Sequence, residues 1–250
     1  MNISIRNLSF SYSNKPLINN LDADFCGGER PLVILGSSGS GKTTLLKLLG
    51  GLIKPHDGEI SFSDGGTFIK LANTAFMFQE PRLLPWLTVL DNVSLPLRKV
   101  FGIKEAEIRA RHFLSLVSLE EKESSFPDEL SGGQAQRVSM ARAFAWPAPA
   151  LFMDEPFQSL DIPLRIGLMD NCLALLKHED LPKLNRLLIT VTHDPREAVY
   201  FGGRIIVLGR PGEGIVFDKN IDPGNEERVY GSVDGVELER EIIKALGNGE

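Results

Sequence analysis

The sequence predicts an α/β fold built on a mainly parallel sheet, and three observations carry that prediction. Four short, strongly apolar runs, at 31–35, 150–153, 187–191 and 205–208, have the composition of strands buried on both faces. The first ends at Gly36 and passes through a glycine- and serine-rich stretch into a helical pattern at 43–49, the strand–loop–helix order of an α/β unit. Strand signals then fade between 81 and 126, where Ala110, Phe113, Leu114 and Val117 recur at helical spacing on one face, so a helical insertion is expected.

Taken in order, residues 3–12 and 17–25 have the short, β-rich character of edge strands, and 31–35 reads as a buried strand. Gly50 and Gly51 stop the helix at 43–49, and further strands are expected at 59–63 and 74–78. Residues 131–145 predict a helix, because Ser131 is a good amino-terminal cap and Pro147 forbids continuation. After Pro211 the chain turns loop-rich and acidic, then closes with a helix at 237–246. No internal repeat or low-complexity tract interrupts this order.

At 250 residues and 42% hydrophobic, the chain is long enough to bury a sizeable core, which sets disorder aside. No apolar run approaches the ~20 residues of a bilayer-spanning helix. The start, Met1-Asn2-Ile3-Ser4-Ile5-Arg6, lacks the pattern of a secretory signal, so a cytoplasmic location is expected. Cys26 and Cys172 stand far apart without metal-type spacing and read as reduced thiols. A net charge of −6 gives no global reason to expect nucleic acid as a partner.

Gly36-Ser37-Ser38-Gly39-Ser40-Gly41-Lys42-Thr43 fits GxxxxGK[ST] in the context that its mechanism needs. Its glycines let the backbone curl so that successive amides face a phosphate, and the helix beginning at Thr43-Thr44 adds unpaired donors and partial positive charge. Lys42 is placed to neutralise β- and γ-phosphate, and the Thr43 hydroxyl to bind Mg²⁺. The strand at 150–153 runs into Asp154 and Glu155, and Pro156 ends it. A magnesium ion would relieve the repulsion of these adjacent carboxylates: Asp154 is expected to hold the metal, and Glu155 to polarise the attacking water.

Leu130-Ser131-Gly132-Gly133-Gln134 opens the helix at 131–145 with a hydroxyl and two residues lacking side chains. Such a start exposes amides that can bind anionic oxygen, by the same physics as the phosphate loop. A plainly capped helix accounts for Ser131 nearly as well. The position of this pentapeptide, between phosphate loop and acidic strand end, resembles the signature segment of the ATP-binding cassette (ABC) ATPases. Further segments match that family in its usual order. Gln79 resembles the Q-loop glutamine, Ser159-Leu160-Asp161 the D-loop, His193 the switch histidine, and Tyr12 the aromatic residue that stacks on adenine. The tail after Gly214 is the weakest part of the match, and Ala135 stands where relatives often carry a larger residue.

The resemblance implies a P-loop ABC ATPase fold, with an antiparallel β subdomain and a helical signature subdomain beside the mainly parallel sheet. Residues 1–250 would form a single domain, with the helical subdomain at 81–148 and a short extension at 211–250. ATP and Mg²⁺ are the implied cofactors, with Thr43, Gln79 and Asp154 toward the metal and Glu155, His193 and Gln79 at the reaction. Two chains would pair head to tail, so that Ser131, Gly133, Gln134 and Asp161 of one meet ATP on the other's phosphate loop.

The stretch from Gln79 through Leu84, Pro85 and Trp86 to Val93 looks like the Q-loop region of bacterial nitrate, sulfonate and taurine importer ATPases. That branch implies separate transmembrane permease subunits, an extracytoplasmic substrate-binding protein acting indirectly, and a location on the inner face of the cell membrane. Two other readings stand beside it: an export or lipid-transport ATPase, and an ABC ATPase of DNA repair or translation. Against the latter stand the acidic balance and the lack of a basic patch or long coiled-coil insertion.

Overall fold

The computed structural model describes residues 1–12, 15–27, 30–64, 66–69, 74–158, 160–177, 186–221 and 233–247. Among them the elements run β1 (Asn2–Phe10), β2 (Ile18–Cys26), β3 (Leu32–Gly36), α1 (Lys42–Leu49), β4 (Asp57–Asp64), β5 (Thr67–Ile69) and β6 (Thr74–Met77). There follow α2 (Val89–Ser94), α3 (Arg98–Phe101), α4 (Ile103–Leu116), α5 (Gly132–Ala145), β7 (Ala150–Asp154) and α6 (Ile162–Lys177). Last come β8 (Leu187–Val191), α7 (Pro195–Phe201), β9 (Arg204–Leu208), β10 (Ile215–Asn220) and α8 (Val233–Gly247).

The four apolar runs are the interior of a six-stranded sheet of order β10-β9-β3-β8-β7-β6, parallel except where β10 returns beside β9. Side chains alternate across a strand, so each run feeds two cores. Leu32, Ile34, Phe152, Ile189 and Ile206 join a cluster with α1 and the strands β1, β2 and β4. Val33, Leu35, Leu151, Met153 and Val207 face the opposite way, into a cluster that α4, α5 and α6 complete. Burial on both faces explains why these runs show no polar alternation. Phe152 is fully buried, a contribution of about 1.5–3 kcal/mol for a side chain of this size.

The second sheet is antiparallel, in the order β2-β1-β4-β5. Here the expectation of two edge strands is corrected for the first: β1 lies between β2 and β4, with Ile3 opposite both Phe25 and Phe62. Edge status depends on which distant segment pairs alongside, and β4 lies more than forty residues further on. The expected helical face holds, for Ala110, Phe113, Leu114 and Val117 are all buried. Helix α4 carries the first three, and it packs with α2 and α5 into the larger core cluster.

Of two capping signals carried by the sequence, at Ser131 and at Asp194, only the first was expected to start a helix. Ser131 caps α5 through its hydroxyl, which accepts from the Gln134 amide at 3.3 Å, while Gln134 Oε1 accepts from the Ser131 amide at 2.9 Å. The closing helix, α8, begins earlier than the sequence suggested. Helix α7 was not anticipated, although Asp194 followed by Pro195 is a cap-and-first-turn signal and the Asp194 carboxylate does accept from the Arg196 amide.

Candidate functional site

Strands β3, β6, β7 and β8 run parallel, so their carboxyl ends open along one edge, where α/β sheets bind ligands. Register does the rest. Met77 pairs with Met153 and Asp154 with Val191, which places the segments bearing Gln79, Glu155 and His193 side by side. The phosphate loop leaves β3 in the same plane, next to β8.

A cavity of about 800 Å³ lies at this edge. Gly36 to Thr44 line it, except for Ser40, and Tyr12, Glu155 and His193 stand on its other walls. Ser40 is 4% exposed, turned behind the loop against Gly36. A Cβ on Gly36 would lie 2.4 Å from Ser40 Oγ and 2.9 Å from the Leu208 carbonyl oxygen, so only glycine fits there. Gly41 has φ 100°, a backbone conformation that L side chains rarely adopt.

Lys42 is buried, and its ammonium donates to the carbonyl oxygens of Gly36 at 2.8 Å and Ser37 at 2.9 Å. Burial pulls its pKa below the ordinary lysine value, against the opposing pull of Glu155 and Asp154. The Thr43 hydroxyl donates to Asp154 Oδ1 at 2.8 Å across 111 residues of sequence. Burial raises the Asp154 carboxyl above its ordinary value, and that hydrogen bond works against the shift. A hydroxyl and a carboxylate in contact, both hard oxygen donors beside the phosphate loop, suit a small divalent cation.

Glu155 occupies the left-handed region at φ 46°, a conformation that costs a non-glycine residue about 1–2 kcal/mol. Its amide donates to the Val191 carbonyl oxygen at 3.0 Å, which fixes the turn against the neighbouring strand. The carboxylate then points at His193, with Oε2 3.1 Å from Nδ1. Tyr12 is 68% exposed, packs edge-on against Phe10 at 4.9 Å between ring centroids, and accepts a long 3.5 Å hydrogen bond from Thr44. Its open ring face is available to a planar base.

The remaining expected residues stand away from the cavity wall. Gln79 donates to the Gln158 side chain. The carbonyls that follow it, on Pro81 and Arg82, accept hydrogen bonds from Arg142 of α5 at 2.7 and 3.0 Å. Asp161 caps α6 by accepting from the Leu164 amide at 2.9 Å. Ser131, Gly133 and Gln134 form the capped start of α5, and Gln136 of that helix donates to the Pro156 carbonyl oxygen at 2.7 Å. Ser159 lies outside the described residues.

Three wall residues went unnoticed in the sequence: Leu17, Gln158 and Leu246. Gln158 is a loop polar four places after Asp154, with no pattern to mark it. Leu246 comes from α8, which Ile242 anchors in the core and an ion pair from Lys219 to Glu241 ties to β10. Nothing local in sequence ties a carboxyl-terminal leucine to a phosphate loop.

A phosphate loop, an acidic strand end and a facing histidine, gathered on one cavity of a parallel sheet with an antiparallel sheet and helices around it, define a cassette-type P-loop ATPase. The family model described as ABC transporter matches residues 18–158. The aliphatic sulfonates import ATP-binding protein SsuB of Corynebacterium glutamicum is 41% identical over 82% of this chain and 79% of its own length. The protein of the same name from Rhodopseudomonas palustris is 37% identical over 99% of this chain and 84% of its own. Among solved structures, the dimeric ATP-binding cassette MJ0796 in a post-hydrolysis state, bound to ADP and Pi, superposes with a TM-score of 0.71 at 29% identity. That match covers 88% of this chain and 99% of the other. The chain belongs to the ABC transporter family and is an ABC-type ATP hydrolase.

Proposed function

We propose that this chain is the ATP-hydrolysing subunit of a bacterial importer for small sulfonate-like solutes, working as a head-to-tail pair on separate permease subunits. The observation that carries the chemistry is the meeting of Thr43 with Asp154 and of Glu155 with His193 beside one phosphate loop. The names of the relatives support the solute class. No helix among the described residues is long and apolar enough to cross a membrane, which accords with a membrane-spanning partner on other chains. An extracytoplasmic binding protein would deliver the solute, with this chain on the inner face of the membrane. The whole chain acts as one ATPase domain, with 81–148 as its helical subdomain and 211–250 as an extension.

In this reading Tyr12 stacks on adenine, and the amides from Ser37 to Thr43 surround the phosphates. Lys42 exchanges its carbonyl partners for β- and γ-phosphate oxygens. Thr43, Asp154 and Gln79 would hold Mg²⁺, which would supply positive charge against the developing negative charge of the phosphates. Glu155 accepts a hydrogen bond from the attacking water and His193 holds that carboxylate in line. To serve the metal, Gln79 would have to give up its hydrogen bond to Gln158. Ser131, Gly133, Gln134 and Asp161 complete the site on the partner chain, so ATP joins the pair and hydrolysis releases it.

Glu155→Gln tests the core of this assignment. The amide keeps the shape of the side chain but cannot accept a proton, so ATP should convert the monomer to a stable dimer while phosphate release falls by about 10²-fold or more. Gel filtration with and without ATP, together with phosphate release, measures both. Normal turnover in Glu155→Gln would overturn the role of Glu155, and a monomer in saturating ATP would overturn the paired site.

A further inference from the structure

Arg165, in the first turn of α6, lies behind the Glu155–His193 contact and has no part in the roles assigned above. Its side chain is 18% exposed and reaches acceptors on two separate segments, the loop before α6 and the start of α7. Nη2 donates to the Leu160 carbonyl oxygen at 3.2 Å, next to Asp161. Nη1 donates to Asp194 Oδ2 at 2.9 Å and lies 3.3 Å from Glu197 Oε1.

Glu197 and Asp194 both bond to the turn that carries His193, Glu197 through its carboxylate and Asp194 through its backbone amide, while the Asp194 carboxylate accepts from the Arg196 amide at the start of α7. Glu197 accepts from the Thr192 hydroxyl on the residue before it, and the Asp194 amide on the residue after it donates to that same hydroxyl at 3.2 Å. His193 is thus bracketed by two residues whose positions depend on the guanidinium. A small cavity of about 160 Å³ lies between Arg165 and the Glu155–His193 pair, so the imidazole is not wedged there by packing. The planar fork of arginine suits this task, because it presents several donors in fixed relative directions.

A helix-packing ion pair would account for the contacts to Asp194 and Glu197. It would not require the third, to a backbone carbonyl in the loop that bears Asp161. We propose that Arg165 is a positioning residue for hydrolysis, tying the Asp161 loop to the His193 turn so that the placement of one sets the other. Because Asp161 faces the partner in the proposed pair, Arg165 carries the presence of the second chain to the imidazole. This inference rests on the roles proposed above for Asp161, Glu155 and His193.

A double-mutant cycle in the full chain tests it, with ATP turnover and KM as readouts. Arg165→Gln is expected to lower kcat about tenfold with less than a twofold change in KM, and Arg165→Lys to recover part of the loss because one acceptor stays in reach. In a His193→Ala background, Arg165→Gln should produce no further fall. Equal, independent losses in the two backgrounds would overturn the proposal, as would a change confined to KM. Full turnover in His193→Ala alone would instead sink the role given to His193. Should Arg165→Gln fail to fold, Asp194→Asn reads the same link, with the same loss of kcat and the same lack of additivity expected; additivity there refutes it.

Discussion

A methyl group added at Gly132 or at Gly133 distinguishes a helix start kept bare for its own packing from one kept bare for another molecule. Gly132 has no left-handed backbone requirement, and a Cβ built on it meets nothing within 4 Å. Alanine there should stabilise the isolated chain by about 0.5 kcal/mol, the low end of the glycine-to-alanine gain because the position is in the first turn. At Gly133 the new Cβ would lie 2.4 Å from Leu164 Cδ2 and 3.4 Å from its Cγ. The first contact is more than ~1 Å inside ordinary carbon separation, so Leu164 must turn away. Overpacking costs about 1–3 kcal/mol, and the low end applies because the clash is with the tip of a half-buried side chain. Urea unfolding of the nucleotide-free chain should show a small gain for Gly132→Ala and a loss near 1 kcal/mol for Gly133→Ala, with unchanged m values.

The functional arm runs the other way for the stabler variant. Since a methyl at 132 meets nothing within 4 Å among the described residues beyond its own helix turn, a loss of ATP-driven association in Gly132→Ala points to contact with a second molecule. Gel filtration in the Glu155→Gln background should show that loss. A Gly132→Ala chain that is less stable than the parent would refute the packing argument. One that dimerises and turns over normally would refute the head-to-tail arrangement.

Two further outcomes follow from exposure and burial. Trp86 is 70% exposed on the segment leading to α2, so Trp86→Glu should leave the ATPase of the isolated chain within about twofold yet abolish its stimulation by the permease; unaltered transport would refute the contact. Cys26 is exposed, whereas burial pushes the Cys172 thiol far above its ordinary pKa and disfavours the reactive thiolate. A thiol reagent at pH 8 should therefore label one cysteine in the native chain and two in denaturant, and rapid labelling of both in the native chain would contradict the packing of α6 against α5.

How far the site could be read in advance depended on distance along the chain. The phosphate loop was legible because its chemistry resides in consecutive residues: the glycines that permit φ 81° and 100°, the lysine and the threonine occur within eight positions. Asp154 and Glu155 were legible for the same reason. Gln158 and Leu246 were not, since each reaches the cavity only after the sheet is assembled. Arg165 looked like an ordinary helical arginine until Leu160, Asp194 and Glu197 closed around it. The placing of β1 in the middle of its sheet was invisible for a related reason, because strand neighbours are chosen by partners many residues away.

By itself the sequence determined the class of fold, the glycine-rich loop between β3 and α1 and the capped start of α5. These follow from local periodicity, backbone freedom and hydrogen bonding within a few residues. Only the tertiary structure decided that Thr43 meets Asp154, that a left-handed turn aims Glu155 at His193, and that α5 is tethered to both the Gln79 and Glu155 segments through Arg142 and Gln136. Those contacts depend on which strands lie side by side and in what register, and register is set by the packing of two whole cores rather than by any one stretch of chain.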